Sequence, residues 1–474
     1  MHSYQQFYIN GQWQTPANEN QSIAVINPAN GEQIAKTASA DLADVDSAIS
    51  AAKKAFPEWS RTSSQQRKQL IVSIADEMQN RFEDLSQVIS RSMGCPIHQA
   101  REVQVQASID AFREFADMTD YVDEAEQLEL VTHFKVPIGV CVLINPWNYP
   151  LSQLVGKLGP AMATGCTVVV KPSEQTPLQD FIMAEIFAKV GVPAGVFNVI
   201  SGYGHKIGHH LCAHADVDMV SFTGSTAAGV KVAQASAPTI KRVCQELGGK
   251  SAMIITEDAD LETAVTFGVG DVMFNSGQTC SALTRMLVPQ SRYDEAVALA
   301  KNVAEQNIVG DPLNEKTTMG PLSSLAQKQR VLDYIHTGIK EGARIVTGGT
   351  ETSPSLQNGA YLMPTIFADV SNEMTIAQQE IFGPVLCIIA YENEQQAIEM
   401  ANDSIYGLAS AVFAKDNQSA IHIARKIRAG QCYIQGGYFN TQGAFGGFKQ
   451  SGNGREWGRE GLREYVELQA VFSS

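Results

Sequence analysis

From Ile138 onward the chain alternates short apolar runs with helix-length stretches, and this rhythm limits the possible folds more than any other feature. IGVCVLI, CTVVVK, VFNVI and DMVSF follow one another, with Gly and Pro at the junctions. Strands that alternate with helices predict a parallel sheet. The rhythm resumes after Gly248 with AMIIT, TRMLV, ARIVT, PVLCIIAY, ASAVFA and QCYIQ, separated by helical stretches such as Leu325 to Lys340. A second α/β domain is expected there. At roughly 150 residues per domain, the 474 residues allow two to three domains.

Ahead of this region, Val45, Ile49, Ala52 and Phe56 share one helical face, as do Leu70, Ile74 and Met78, so the chain is expected to open as a helical segment. The stretch EAEQLELVTHFKVP, from Glu124 to Pro137, is extended and charged, and reads as a protruding hairpin arm. The tail LREYVELQAVF also ends in a strand-like run. Two such detached segments suit a sheet shared between subunits. No internal repeat is evident.

Charge narrows the partners. A formal net charge of -15 repels a phosphate backbone, and no dense Lys/Arg run offers a nucleic-acid patch. MHSYQQFYINGQW lacks a basic region followed by an apolar stretch, and runs such as Val140 to Ile144 cannot span a bilayer. The reading is a cytoplasmic protein with neither a nucleic-acid nor a membrane partner.

Eight cysteines (95, 141, 166, 212, 244, 280, 387 and 432) are scattered without a C-x-x-C pair, so they are read as free, mostly buried thiols. An isolated cysteine is usually a small core hydrophobe. Cys280 differs in context: Phe274-Asn275-Ser276-Gly277-Gln278-Thr279-Cys280 follows a helical stretch and precedes a strand, which places the thiol on a loop. Upstream, Glu246 precedes Leu247-Gly248-Gly249-Lys250, where two glycines permit a sharp turn or a close approach. In the first α/β region, strand-like runs lead into Asn145-Pro146-Trp147-Asn148-Tyr149-Pro150, Lys171-Pro172-Ser173-Glu174 and Thr223-Gly224-Ser225-Thr226. Ligands of open α/β sheets bind at such strand ends. Each turn alone also has an ordinary structural reading.

Other patterns carry less. Gly202-x-Gly204-x-x-x-Gly208 departs from the dinucleotide fingerprint, and Gly248-Gly249-Lys250-Ser251 only mimics a phosphate loop, since Cys244 stands where its first Gly should be. His205, His209, His210 and His214 form two i,i+4 pairs on one helix, yet no carboxylate completes a set, so they are read as a solvated helix face and no metal is assigned. Ser50-Ala51-Ala52-Lys53 matches S-x-x-K without any accompanying hydrolase motif.

Taken in order, PWNYP, KPSE, FTGS, ELGGKS, NSGQTC, EIFGPV and GGFKQSGNGRE resemble the aldehyde dehydrogenase superfamily, and the resemblance extends from FYINGQW to the final strand. It implies a Rossmann-like cofactor domain (1–118 and 138–246), a second α/β catalytic domain (247–450), and a small β oligomerisation arm with tail (119–137 and 451–474). It implies Cys280 as nucleophile, Glu246 as general base for the hydrolytic water, and Asn148 as side-chain donor to the oxyanion. For the cofactor it implies Ile144, Pro146 and Trp147 along its path, and Lys171 and Glu174 at the adenosine ribose. Gly224 and Ser225 would lie near the pyrophosphate, with Leu247, Glu380 and Phe382 at the nicotinamide half. Glu174 favours NAD, because a carboxylate repels an added 2′-phosphate, although Lys171 leaves NADP possible. Lys157 and Glu456 match family positions for proton relay, and a solvated surface pair accounts for them almost as well.

The chain departs from the family pattern at Ala444, Gln435 and Gln469, none of which touches the implied chemistry. Tyr438, Phe439, Phe445 and Phe274 suggest an apolar tunnel for apolar or aromatic aldehydes. The resemblance further implies a homodimer or homotetramer. Two alternatives are a coenzyme A-acylating dehydrogenase, which needs no Glu at 246, and a non-catalytic NAD-binding protein that keeps the fold.

Overall fold

The computed structural model describes residues 3–474. The apolar runs after Ile138 form the parallel strands Val140–Ile144, Thr167–Lys171, Phe197–Val199 and Met219–Thr223. A fifth, Arg242–Glu246, pairs in parallel with Met219–Thr223; its sequence, RVCQE, is too polar at both ends for the hydrophobic pattern to flag. From one edge the sheet runs Gly452–Asn453, Arg242–Glu246, Met219–Thr223, Val140–Ile144, Thr167–Lys171, Phe197–Val199, Phe7–Ile9, Gln12–Gln14. The chain builds outward from Val140–Ile144 on one side and then returns to build on the other. The order therefore reverses between Val140–Ile144 and Met219–Thr223, the crevice where open α/β sheets hold ligands.

Alternation along the strands supplies two cores. Val140, Val142 and Ile144 face one cluster with Val45, Ile49 and Ala52 from the helix Leu42–Trp59. Cys141 and Leu143 face the other, with Leu151, Leu154 and Leu158 from the helix Pro150–Thr164. A fully buried Val or Leu contributes about 1.5–3 kcal/mol relative to exposure.

The chain does not open as a helical segment. Phe7–Ile9 and Gln12–Gln14 extend the first sheet, and Ser22–Ile26 pairs with Gln33–Ala38 before the first helix begins at Leu42. Ser22–Ile26 alternates exposed and buried with period two, a rhythm that a search for helical faces passes over. Val45, Ile49 and Ala52 do line one buried helical face, and Asp41 and Asp44 close its N-terminus as a capping box.

The second sheet runs Arg344–Thr347, Thr365–Ala368, Val385–Tyr391, Arg285–Pro289, Ala252–Ile255, Ser410–Phe413, Tyr433–Ile434, and is parallel apart from its first strand. Glu126–Gln127, Val131–Pro137 and Val466–Phe472 form a three-stranded antiparallel sheet, so the arm and the tail strand pair within one chain. The rest of the 451–474 stretch lies elsewhere: Gly452–Asn453 joins the first sheet, and Gly458–Arg463 packs on the helix Pro150–Thr164. Among the described residues no helix is long and apolar enough to cross a membrane.

Candidate functional site

Strand register gathers the polar turns at one sheet edge. Ile144 stands beside Lys171 and beside Phe222, and Thr223 stands beside Glu246, so four loops leave neighbouring strands at their carboxyl ends. Lys171 is buried, with Nζ donating to the Pro172 carbonyl at 2.7 Å and to Glu174 Oε2 at 3.4 Å. Burial lowers its pKa and the Glu174 carboxylate opposes that shift. The Gly224 N–H donates to the Glu246 carbonyl (3.1 Å), and the exposed Ser225 caps the helix Thr226–Ser236 by accepting from the Ala228 N–H. A helix N-terminus of this kind suits a phosphate.

Opposite, Trp147 meets Phe382 edge-on, with ring centroids 5.3 Å apart at 90°. Phe382 adopts a left-handed φ of 61°, and Pro146 beside Trp147 is half-buried. Ile144 and Leu247 are both buried; the Leu247 side chain packs over Gly229, where a Cβ would stand 2.7 Å from Leu247 Cδ2. Glu380 Oε1 accepts from the Gly249 N–H at 3.0 Å, and burial pushes its pKa up to about 7.

Two glycines bring the Glu246, Glu380 and Cys280 loops together. A Cβ on Gly248 would stand 2.4 Å from Glu380 Oε2, and one on Gly249 would stand 2.4 Å from the Cys280 carbonyl oxygen. Hence the turn after Glu246 is held against both Glu380 and the Cys280 loop. That loop begins with Asn275, Ser276 and Gly277, all left-handed at φ 50°, 55° and 72°. The conformation costs an L-residue roughly 1–2 kcal/mol. It persists because Ser276 Oγ donates to the Gly320 carbonyl (2.8 Å) and Asn275 Nδ2 donates to the Asn148 carbonyl (3.1 Å). Asn148 Nδ2 in turn donates to the Gln278 carbonyl at 2.9 Å, which leaves the second amide hydrogen for another acceptor.

Cys280 is half-buried, whereas six of the other seven cysteines are fully buried. Burial, then the Glu380 and Glu246 carboxylates, push its thiol pKa up, opposed by the backbone N–H groups of Ser281 and Cys280 itself. Glu246 is 2% exposed, and neither carboxylate oxygen has a hydrogen-bond partner. Burial foremost, then the Glu456 charge, hold its pKa well above the usual carboxylate value, with Lys157 opposing. Lys157 is fully buried, 2.8 Å from Glu456 Oε1. Its Nζ also donates to Thr223 Oγ1 (2.6 Å) and Gln153 Oε1 (3.2 Å). The surface-pair reading of Lys157 and Glu456 is thus overturned by their burial.

Sequence reasoning missed several partners. Asn275 bridges the Asn148 and Cys280 loops, and Tyr149 Oη lies 2.6 Å from Thr279 Oγ1. Asp271 Oδ2 accepts from the Leu283 N–H at 2.8 Å, tying the far side of the loop to the preceding helix. The only signal in the sequence was N-S-G, a turn-forming triplet that ends three residues before the cysteine. His210 and His214 do find a carboxylate, Asp46 of another helix, at 2.5 and 3.5 Å. Among the described residues no group of three or more His, Cys, Asp or Glu is arranged to hold a metal ion.

The family model described as "Aldehyde dehydrogenase family" matches residues 13–471. The chain is 45% identical over 473 residues to a 3-succinoylsemialdehyde-pyridine dehydrogenase of Pseudomonas sp, covering 100% of this chain and 99% of that one. In three dimensions it is similar to aldehyde dehydrogenase C of Pseudomonas syringae, a Cys-to-Ala variant solved with NAD+ and octanal, at 46% identity and a TM-score of 0.98, covering 99% and 97% of the two chains. It is also similar to a Mycobacterium tuberculosis aldehyde dehydrogenase complexed with NAD+, at 40% identity and a TM-score of 0.97, covering 100% and 99%. With the model spanning nearly the whole chain and relatives matched end to end, the chain belongs to the aldehyde dehydrogenase family.

Proposed function

We propose that the chain oxidises an aldehyde to the carboxylic acid with NAD+ and water, through a covalent intermediate on Cys280. The observation that carries this reading is a buried carboxylate with no partner, Glu246, held by the Gly249 turn against the loop of a half-exposed thiol. A carboxylate left unsatisfied at a site of this kind costs free energy unless an incoming group uses it.

Sγ of Cys280 attacks the carbonyl carbon, and the thiol proton passes to solvent water as the C–S bond forms and the carbonyl π bond opens to the oxyanion. The free amide hydrogen of Asn148 and the Cys280 backbone N–H receive the resulting oxyanion; one such donor is worth about 3–4 kcal/mol in the transition state. NAD+, when bound, accepts the hydride. Glu246 then takes a proton from the water that attacks the Cys280 thioester, releasing the acid and the thiol.

The residues present fit NAD+. Glu174 offers an acceptor to ribose hydroxyls and repels a 2′-phosphate, the start of the Thr226–Ser236 helix suits a pyrophosphate, and Trp147 with Phe382 makes an edge-on aromatic pair. Residues 1–118 and 138–246 act as the cofactor domain and 247–450 as the catalytic domain. The open edge of Val466–Phe472, with Leu468 and Phe472 exposed, supports a homodimer or homotetramer.

NADH formation over aliphatic, aromatic and semialdehyde substrates, run in parallel with NAD+ and NADP+, tests the reading. It predicts turnover with NAD+ that needs no coenzyme A and is lost in Cys280→Ala. Turnover only with coenzyme A, or retained in that variant, would contradict it.

A further inference from the structure

We propose that Gln104 is a positioning residue of the reaction: its side-chain amide holds the Asn148 carbonyl and so fixes where the free amide hydrogen of Asn148 points. The inference rests on the Cys280 reaction proposed above, in which Asn148 receives the oxyanion, and adds a residue that acts only through Asn148.

Gln104 sits in the π-helix Ala100–Gln106, between the short helix Ile97–Gln99 and the helix Ala107–Asp117. The Ala107 N–H donates to the Glu102 carbonyl, five residues back. Wide turns of this kind are rare and occur often at functional sites. Contacts on both sides hold this one in place. The Ile97 N–H donates to the Pro312 carbonyl at 2.8 Å, Gln99 Nε2 to the Thr318 carbonyl at 3.1 Å, and Ser108 Oγ to the carbonyl of Gln104 itself.

The Gln104 side chain is buried. Its Nε2 donates to the Asn148 carbonyl at 3.2 Å, and this is the only hydrogen bond of the side chain among the described residues, since Oε1 is buried without a partner. An unsatisfied buried acceptor costs free energy, and a Met of similar length would fill the space without that cost. Packing therefore does not account for an amide here. What the amide alone supplies is the bond to Asn148.

That bond completes a set of four buried amides. The Asn148 carbonyl accepts from Gln104 and, at 3.1 Å, from Asn275 Nδ2, which together use both of its lone pairs. The Asn148 side chain donates to the Gln278 carbonyl at 2.9 Å, and Gln278 Nε2 donates to the Asn275 carbonyl at 3.1 Å. Asn275 and Gln278 both belong to the loop of Cys280. Of the hydrogen bonds to Asn148 among the described residues, the one from Gln104 alone comes from outside that loop. An oxyanion donor works only when it is aimed at the place where charge develops, so the tie that fixes the Asn148 peptide bears on the rate.

The test measures the single-turnover rate of NADH formation, the aldehyde KM and the melting temperature in the wild-type enzyme, Gln104→Met, Asn148→Ala and the double variant, with the aldehyde that the wild-type enzyme turns over fastest. Gln104→Met should slow the single turnover about ten- to a hundredfold, the size that a small misplacement of a reacting group sets, with KM and melting temperature nearly unchanged. Asn148→Ala should slow it by about 10² to 10³. In the double variant the effect of Gln104→Met should vanish, because a residue that acts only through Asn148 then has nothing left to position. Gln104→Glu keeps the shape and, once ionised, has no hydrogen to donate. At alkaline pH it should show the same coupling to Asn148→Ala, which keeps the proposal testable if Gln104→Met does not fold. Additive losses, or a lower melting temperature with an unchanged single-turnover rate, would overturn the proposal and leave Gln104 a packing residue. Failure of the wild-type enzyme on every aldehyde would instead overturn the Cys280 reading.

Discussion

Gly249 lies directly against Cys280, close enough that a single added methyl carbon would stand 2.4 Å from the Cys280 carbonyl oxygen. Backbone on that side cannot give way as a side-chain tip would. Gly249→Ala should therefore displace the nucleophile loop, and a shift of about 1 Å in a reacting group costs on the order of 10²-fold in rate. Steady-state NADH formation checks this, and kcat should fall far more than the melting temperature suggests.

Glu246 predicts a signed pH effect. Only its ionised form accepts a proton from water, and its pKa is raised by burial and by Glu456. Hydrolysis of the acyl-enzyme should fall as the pH drops, along a limb whose midpoint lies above the usual carboxylate range. Glu246→Gln should remove that limb and lose about 10² to 10⁴ in kcat. Stability moves the other way. A raised folded-state pKa contributes stability below the unfolded pKa, and that contribution is lost as pH rises through the folded value. Glu246→Gln should thus melt above the wild type at pH 8, with the difference shrinking toward pH 4.

The buried pair Lys157–Glu456 should be costly to break from one side. Removing one partner of such a pair typically costs about 3–5 kcal/mol. Lys157→Met should lower the melting temperature. Because the Lys157 charge draws the Glu246 pKa down, the variant should also move the acid limb of kcat to higher pH.

Glu174 should govern the choice of cofactor. Replacing it with Gln removes the charge that repels a 2′-phosphate while Lys171 remains in place. The NADP+/NAD+ ratio of kcat/KM should rise by about tenfold, equivalent to ~1.4 kcal/mol. Parallel kinetics with the two cofactors measure it.

The alternation after Ile138 made two parallel sheets legible, because strands buried on both faces read as unbroken apolar runs. Arg242–Glu246 escaped because it ends in the polar residues whose placement at the strand terminus is its use, and because its outer neighbour, Gly452–Asn453, arrives from the far end of the chain. Burial was likewise hidden: nothing around Lys157 or Glu456 announces that two charges so far apart in sequence meet in the interior. Asp46 beside His210 and Gln104 beside Asn148 are contacts of the same kind. The roles proposed for Cys280, Glu246 and Asn148 rest on the family motifs. What the fold adds is the means of gathering them, through two glycines and a left-handed turn, Asn275 to Gly277.

The most direct test of the account is mass spectrometry of Glu246→Gln quenched within one turnover of NAD+ and aldehyde. The account predicts a burst of about one NADH per subunit, and an acyl adduct, lost on treatment with hydroxylamine, on the peptide that carries Cys280. A burst without an adduct, or an adduct on any of the other cysteines, would contradict it.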